Sequence, residues 1–248
     1  LISTNILHKD AVEVDFSAGC LVLVDKPLDW TSFDVVNKIR YALQSRYPKI
    51  KVGHAGTLDP KATGLLLIAT GKMTKQIDSL QGLDKCYTGT MKLGATTPSY
   101  DSELPEDRQF DNSAIAANSL REAALSLVGN IQQVPPIYSA IKMKGIVSYK
   151  SARKGLIPEL KPRPVTIHQF DLTRILLPYI DFEISCSKGT YIRALARDFG
   201  EFLDNGAYLT VLQRTAIGSY HIDQAWKLEE LISFVAQTAI SHAGTPGA

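Results

Sequence analysis

Residues 19–27, GCLVLVDKP, run apolar from Cys20 to Val24 and stop at Lys-Pro, which predicts a short buried strand. The period changes at once. In TSFDVVNKIRYALQSR, Phe33, Val36, Ile39, Ala42 and Leu43 recur at helical spacing behind a capping Thr31 or Ser32, and Pro48 closes the element. A glycine-rich stretch, GHAGTLDPKATG, then runs as a loop into the apolar Leu65–Ala69. KCYTGTMKLG, 85–94, alternates as a strand does. Residues 97–111 are acidic, contain proline and predict an exposed loop. Residues 113–129 predict a helix with a serine cap and a closing glycine. SYKSARKG predicts a short helix, RPVTIHQFDLTRI and YIDFEISCS a strand pair, 188–203 a turn followed by a helix, 208–220 a strand and 228–236 a last helix. The elements alternate without a regular βαβ rhythm. The expected fold class is therefore α+β, with a mixed, mostly antiparallel sheet and flanking helices.

Composition changes little in this picture. The chain has 248 residues, 45% hydrophobic and 21% charged, with a net charge of +2, as an ordinary globular protein has. The distribution of charge says more. Between Ala140 and Pro164 stand Lys142, Lys144, Lys150, Arg153, Lys154, Lys161 and Arg163 against Glu159 alone, a candidate polyanion contact or a solvated loop. Cys20, Cys86 and Cys186 are scattered and form no C-x-x-C pair, so neither a zinc site nor a disulfide framework is indicated. No basic-then-apolar leader and no run of membrane-spanning length is visible, and a cytoplasmic protein is expected.

Several chemistries can be set aside. Gly64 and Gly71 are too far apart for a phosphate loop, and Lys72 is followed by Met73. There is no H-E-x-x-H or G-x-S-x-G motif. Asp59 remains. Asp-Pro is a common turn dipeptide, which explains the residue without chemistry. The glycines at 53, 56 and 64 let backbone run close to something else, and room for RNA is the expectation. Tyr87, Tyr191 and Arg193 are candidate partners: an arginine keeps a carboxylate ionised, and a tyrosine offers a stacking face. Sequence does not place these groups together.

Five ordered blocks carry a resemblance. VLVDKPLDWTSFDVV (22–36), GHAGTLDPKATGLL (53–66), DKCYTGTMKLGATTPSYD (84–101), PPIYSAIKMKGIVSYKSARKG (135–155) and CSKGTYIRALARDFG (186–200) resemble the signature motifs of the bacterial tRNA pseudouridine-55 synthases, the TruB family. The resemblance covers roughly 19–220. It implies the pseudouridine synthase fold with a central active-site cleft, a catalytic domain over 1–220 with an RNA-gripping insertion at about 130–160, and a short C-terminal helix and tail over 221–248.

It also implies an enzyme that isomerises uridine to pseudouridine in the T-loop of tRNA, without cofactor or metal, as a monomer with no required protein partner and no membrane. Asp59 matches the catalytic aspartate, which attacks the sugar C1′ or uracil C6 or stabilises the cleaved sugar. Arg193 matches the arginine paired with it. Tyr87 matches the tyrosine that stacks on the base and can take the C5 proton. Tyr191 and Leu212 match pocket contacts. His54 matches the histidine that fills the space of the everted nucleotide. Lys26, Pro27 and Gly56 match supports of the active loop, and Lys142 and Lys144 fall in the insertion.

The chain also departs from the family. Asp29-Trp30 stands where a glycine is usual, the neighbourhood of Asp101 is altered, and the stretch after Tyr220 is too short for the RNA-binding PUA domain that bacterial members commonly carry. A non-catalytic RNA-binding or tRNA-folding role on the same scaffold is the alternative. The RNA-guided relatives of archaeal and nucleolar particles fit less well, because of the PPIYSAIKMKG insertion and the absence of basic tails.

Overall fold

The computed structural model describes residues 6–11, 14–138, 142–143, 146–147 and 160–241. The strands are β1 (Leu21–Lys26), β2 (Val52–His54), β3 (Ala62–Thr70), β4 (Lys85–Leu93), β5 (Ala95–Thr96), β6 (Arg108–Gln109), β7 (Gly129–Gln133), β8 (Lys142–Met143), β9 (Ile146–Val147), β10 (Arg163–Leu176), β11 (Tyr179–Cys186), β12 (Ala207–Ile217), β13 (Tyr220–His221) and β14 (Trp226–Lys227). The α-helices among the described residues are α1 (Ser32–Gln44), α2 (Ile77–Gln81), α3 (Ala117–Ser126), α4 (Ile192–Phe202) and α5 (Leu228–Ser241). The expected short helix in SYKSARKG lies outside the described residues. The chain divides into two compact units, 1–83 with 213–248, and 84–212. Both are mixed α+β.

In the first unit β1 lies between β3, antiparallel, and β14, parallel, while β2 pairs with β3. The unbroken apolar runs of β1 and β3 have a direct cause, because both faces are buried. Val22, Val24, Leu66 and Ile68 pack toward α1 and α5 with Val36, Ile39 and Leu231. Leu21, Leu23, Leu65, Leu67 and Ala69 pack on the opposite face with Met73, Leu80 and Ile217. Helix α1 starts at a capping box: the Thr31 side chain accepts from Asp34 N, and the Asp34 carboxylate accepts from Thr31 N at 2.9 Å. Its buried stripe is Val35, Val36, Ile39 and Leu43. Phe33, on the stripe by simple spacing, is instead 60% exposed, because Ser32 turns inward to bond Leu58.

In the second unit β4, β11, β10 and β7 form an antiparallel run, with β4 on β11 from Lys85↔Cys186 to Lys92↔Tyr179. Helix α4 presses Leu195, Ala196 and Phe199 inward, and the Phe199 ring meets Phe170 with centroids 5.9 Å apart. Helix α3 begins at Ala117, not at the expected Ser113, whose N–H is taken by Asp111 at 2.9 Å. The acidic loop is only partly exposed: Thr97, Ser99 and Asp101 are buried within it.

Candidate active site

The turn carrying Asp59 joins β2 to β3, and its main chain is held at every residue from 56 to 60. The buried Arg214 guanidinium donates from Nη2 to Gly56 O at 3.1 Å, from Nη1 to Thr57 O at 3.4 Å and from Nε to Leu65 O at 2.8 Å. One hydroxyl serves both polar groups of Leu58: Ser32 Oγ accepts from Leu58 N at 2.8 Å and donates to Leu58 O at 3.1 Å. Asp59 O accepts from Ala62 N at 3.1 Å, and Pro60 O accepts from Asp29 N at 2.9 Å. Lys26 Nζ completes the frame. It is fully buried and donates to Trp30 O at 2.6 Å, Pro27 O at 2.9 Å and, more weakly, Pro60 O at 3.5 Å. Burial pulls the Lys26 ammonium down to about 8, against the charges of Asp59 and Asp29, which favour its protonated form. Asp59 itself is half-buried. A carboxylate on a turn fixed at five consecutive residues needs little reorganisation to act.

Two of the three glycines of this stretch have packing reasons of their own. A Cβ on Gly64, which has φ +102°, would lie 2.4 Å from Arg214 O, so the residue exists to let β12 approach. At Gly53 it would meet the Ile77 side chain at 2.7 Å. Gly56 is different. Its φ of +102° needs glycine, while the nearest atom to a Cβ there is Arg214 Nη1 at 3.7 Å. Asp29, at the family's glycine position, has φ +64°, a left-handed conformation that aspartate tolerates better than most residues. Its carboxylate is bridged by Lys61 Nζ at 2.8 Å.

His54 ends β2 half-buried, and its Nδ1 has no hydrogen-bond partner among the described residues. Burial, with the Arg214 cation beside it, holds the imidazole below its ordinary value, so it is neutral at pH 7. The first unit thus gathers His54, Gly56, Asp59, Lys26 and Pro27 around one turn.

The second unit holds the other residues. Tyr87 is buried on β4 opposite Ile184. Tyr191 stands at the N-terminus of α4, where the buried Gln133 clamps its main chain: Tyr191 N donates to Oε1 at 2.9 Å, and Nε2 donates to Tyr191 O at 3.1 Å. Arg193 is 4% exposed. It donates to Ser99 O at 3.0 Å and Tyr138 O at 2.9 Å, with Asp101 Oδ2 at 3.6 Å from its Nε. Asp101 in turn accepts Glu103 N at 2.9 Å. Leu212 is half-buried on β12. Lys142 is on β8, and Lys144 lies outside the described residues. Asp59 and Arg193 belong to different units.

Sequence reasoning missed Arg214 and Gln133. The signal for Arg214 was a charge between apolar neighbours in VLQRTAIG, on the same strand face as Leu212 and Ala216. Gln133 carried none. Burial pushes the Cys20 thiol up to about 11 and the Cys186 thiol up to about 12, which disfavours the thiolate of both. Among the described residues no group of His, Cys, Asp or Glu could hold a metal ion, and no helix is long and apolar enough to cross a membrane.

A family model described as "TruB family pseudouridylate synthase (N terminal domain)" matches residues 42–192. The chain belongs to the TruB family. The tRNA pseudouridine synthase B of Flavobacterium johnsoniae is 52% identical over 85% of this chain and 93% of its own length. That of Chlorobaculum tepidum is 47% identical over 94% and 98%. Among solved structures, a chain of a Cbf5–Nop10–Gar1 complex is similar with TM-score 0.69 and 25% identity over 93% of this chain. This TruB chain spans 58% of that one. An H/ACA ribonucleoprotein bound to a substrate RNA shares the fold at TM-score 0.66 and 22% identity, over 97% of this chain and 65% of that one.

Proposed function

We propose that this chain isomerises uridine to pseudouridine at position 55 in the T-loop of tRNA. The observation that carries the reading is the half-buried Asp59 on a turn whose main chain is bonded from residue 56 to residue 60, in a TruB chain. The target base has to leave the loop's stack to be reached, at a cost of a few kcal/mol, and stacking on the Tyr87 ring returns about 1–3 kcal/mol. Asp59 then attacks C1′ or C6, or stabilises the cleaved sugar. The N1–C1′ bond breaks, the uracil rotates, and C5 bonds to C1′. C5 loses a proton, for which Tyr87 is the candidate acceptor, and N1 gains one. Product and substrate are isomers, so no cofactor is consumed.

Arg193 is the partner assigned to the Asp59 carboxylate in this reading. Tyr191 and Leu212 shape the base pocket, and neutral His54 occupies the place the nucleotide vacates. Residues 1–220 act as the catalytic domain, with the segment at about 130–160, including Lys142 and Lys144, gripping the T-loop phosphates. The enzyme works as a cytoplasmic monomer without a protein partner.

Tritium release from C5-labelled tRNA tests the reaction. Wild type should release label and Asp59→Asn should bind tRNA without release. Equal release from both would refute the role of Asp59, and binding without release by the wild type would leave the folding-chaperone role in its place.

A further inference from the structure

A second basic feature lies in the first unit, at the opposite end of β3 from the Asp59 turn. β2 pairs antiparallel with β3, with Val52 opposite Thr70, so the residues just before β2 must neighbour those just after β3. Gly71 N donates to Lys51 O at 2.9 Å and joins the two loops. The sequence puts cations on both: Arg46, Lys49 and Lys51 on one, Lys72 and Lys75 on the other. All five line one open cavity of about 530 Å³, beside Tyr47.

Among the described residues no carboxylate lines it. Two described acids stand near it in sequence, and the charge of one, Asp15, is felt by Arg46. Asp15 accepts from Ser17 N at 2.8 Å and Ser17 Oγ at 2.6 Å, and Asp78 is exposed beyond Lys75. Among the described residues none of Lys49, Lys51, Lys72 and Lys75 forms an ion pair. The Arg46 guanidinium lies 5.5 Å from the centroid of the Tyr47 ring, which holds its charge at the cavity wall. The four lysines around one concavity, with Arg46 at its wall, repel one another, an arrangement suited to a polyanion.

The place of the cavity narrows the ligand. The nine residues of β3 separate it from the Asp59 turn by roughly 25–30 Å at ~3.3 Å per residue. A nucleotide cannot touch both. A folded RNA can, since its phosphates continue far beyond the modified loop.

We infer that this cavity is a second RNA-backbone site, which holds phosphates of the tRNA body away from the uridine being modified. The inference rests on the proposed tRNA substrate. Its test is the salt dependence of binding and turnover for a full-length tRNA transcript, wild type beside the quadruple variant K49Q/K51Q/K72Q/K75Q. Each lost phosphate contact removes about 0.9 from the slope of log K against log salt on duplex. The variant should lower the slope by about 2–4 and raise KM about tenfold near 150 mM salt, with kcat and melting temperature unchanged. The corresponding quadruple arginine variant should keep the wild-type slope. An unchanged slope and KM in the glutamine variant would overturn the site, and so would equal loss in the arginine variant. If the wild type shows no turnover, the proposed reaction fails on its own, and filter binding of the same transcript still decides the cavity.

Discussion

The two units solve the same problem with opposite economies. In the first, the group proposed to react is a carboxylate, and the buried cations beneath it, Arg214 and Lys26, donate to main-chain carbonyls around its turn. In the second, the buried cation is itself a proposed functional group. Arg193 ties Ser99 and Tyr138 together through their carbonyls, and the neutral amide of Gln133 fixes the turn before it. The first unit therefore separates support from chemistry, and the second combines them. Mutations should tell the two designs apart: positioning can be lost in the first unit with Asp59 intact, whereas any change at Arg193 removes both roles.

The largest effect should come from Arg214→Met, which strips the donor from three main-chain carbonyls at once. We expect a stability loss of about 3 kcal/mol in urea denaturation and a fall in kcat of at least ~100-fold. Arg214→Lys should recover part of the stability and little of the rate, because an ammonium cannot reproduce the planar fork. Should Arg214→Met keep full kcat, the separation of support from chemistry is lost.

Lys26→Met comes next, at about 2 kcal/mol, and it carries a pH signature. The folded state holds Lys26 at about 8 and the unfolded chain at the ordinary 10.5. Between those values the unfolded chain binds more protons, so this group's contribution to stability rises with pH across that window, by at most about 3 kcal/mol. Below pH 8 both states are protonated and the contribution is flat. Denaturation midpoints at pH 7.5, 8.5 and 9.5 should show the rise in wild type and not in the variant. Turnover should move the other way, since a neutral amine has two N–H groups for three carbonyls.

Gln133→Ala should cost about 1–2 kcal/mol and loosen the Tyr191 turn, raising KM more than it lowers kcat. The smallest effect is expected at Asp29→Gly. Glycine relieves a left-handed φ, while the substitution gives up an exposed ion pair with Lys61 that is worth at most ~1 kcal/mol. Chemical denaturation should find the variant within about 0.5 kcal/mol of wild type. A loss above 2 kcal/mol would mean that Lys61 anchors the turn.

The elements read most easily from sequence were those whose burial is one-dimensional. The run from Cys20 to Val24, the α1 stripe and the alternation of β4 are each set by neighbours a few residues away. Short strands escaped: β2 has three residues, and β7, GNIQQ, is polar enough to pass for a loop. The buried part of the acidic loop escaped for a different reason. Thr97 and Ser99 satisfy the main chain of Asp101 at 2.7 and 3.3 Å, so polar residues there can go inside. The motif residues of the site were legible through resemblance, Lys26 among them as a support, whereas Arg214 and Gln133 were not. Nothing near Arg214 in sequence announces a carbonyl 158 residues away.

That separation has a consequence in time. The first unit is interrupted by the whole of the second and is closed only by 213–248. At translation rates of about 5–20 residues per second, Arg214 leaves the ribosome roughly 8–30 seconds after Gly56. A nascent chain thus displays its Asp59 turn well before the guanidinium that fixes it exists, and the turn is held from both sides only once Arg214 has followed.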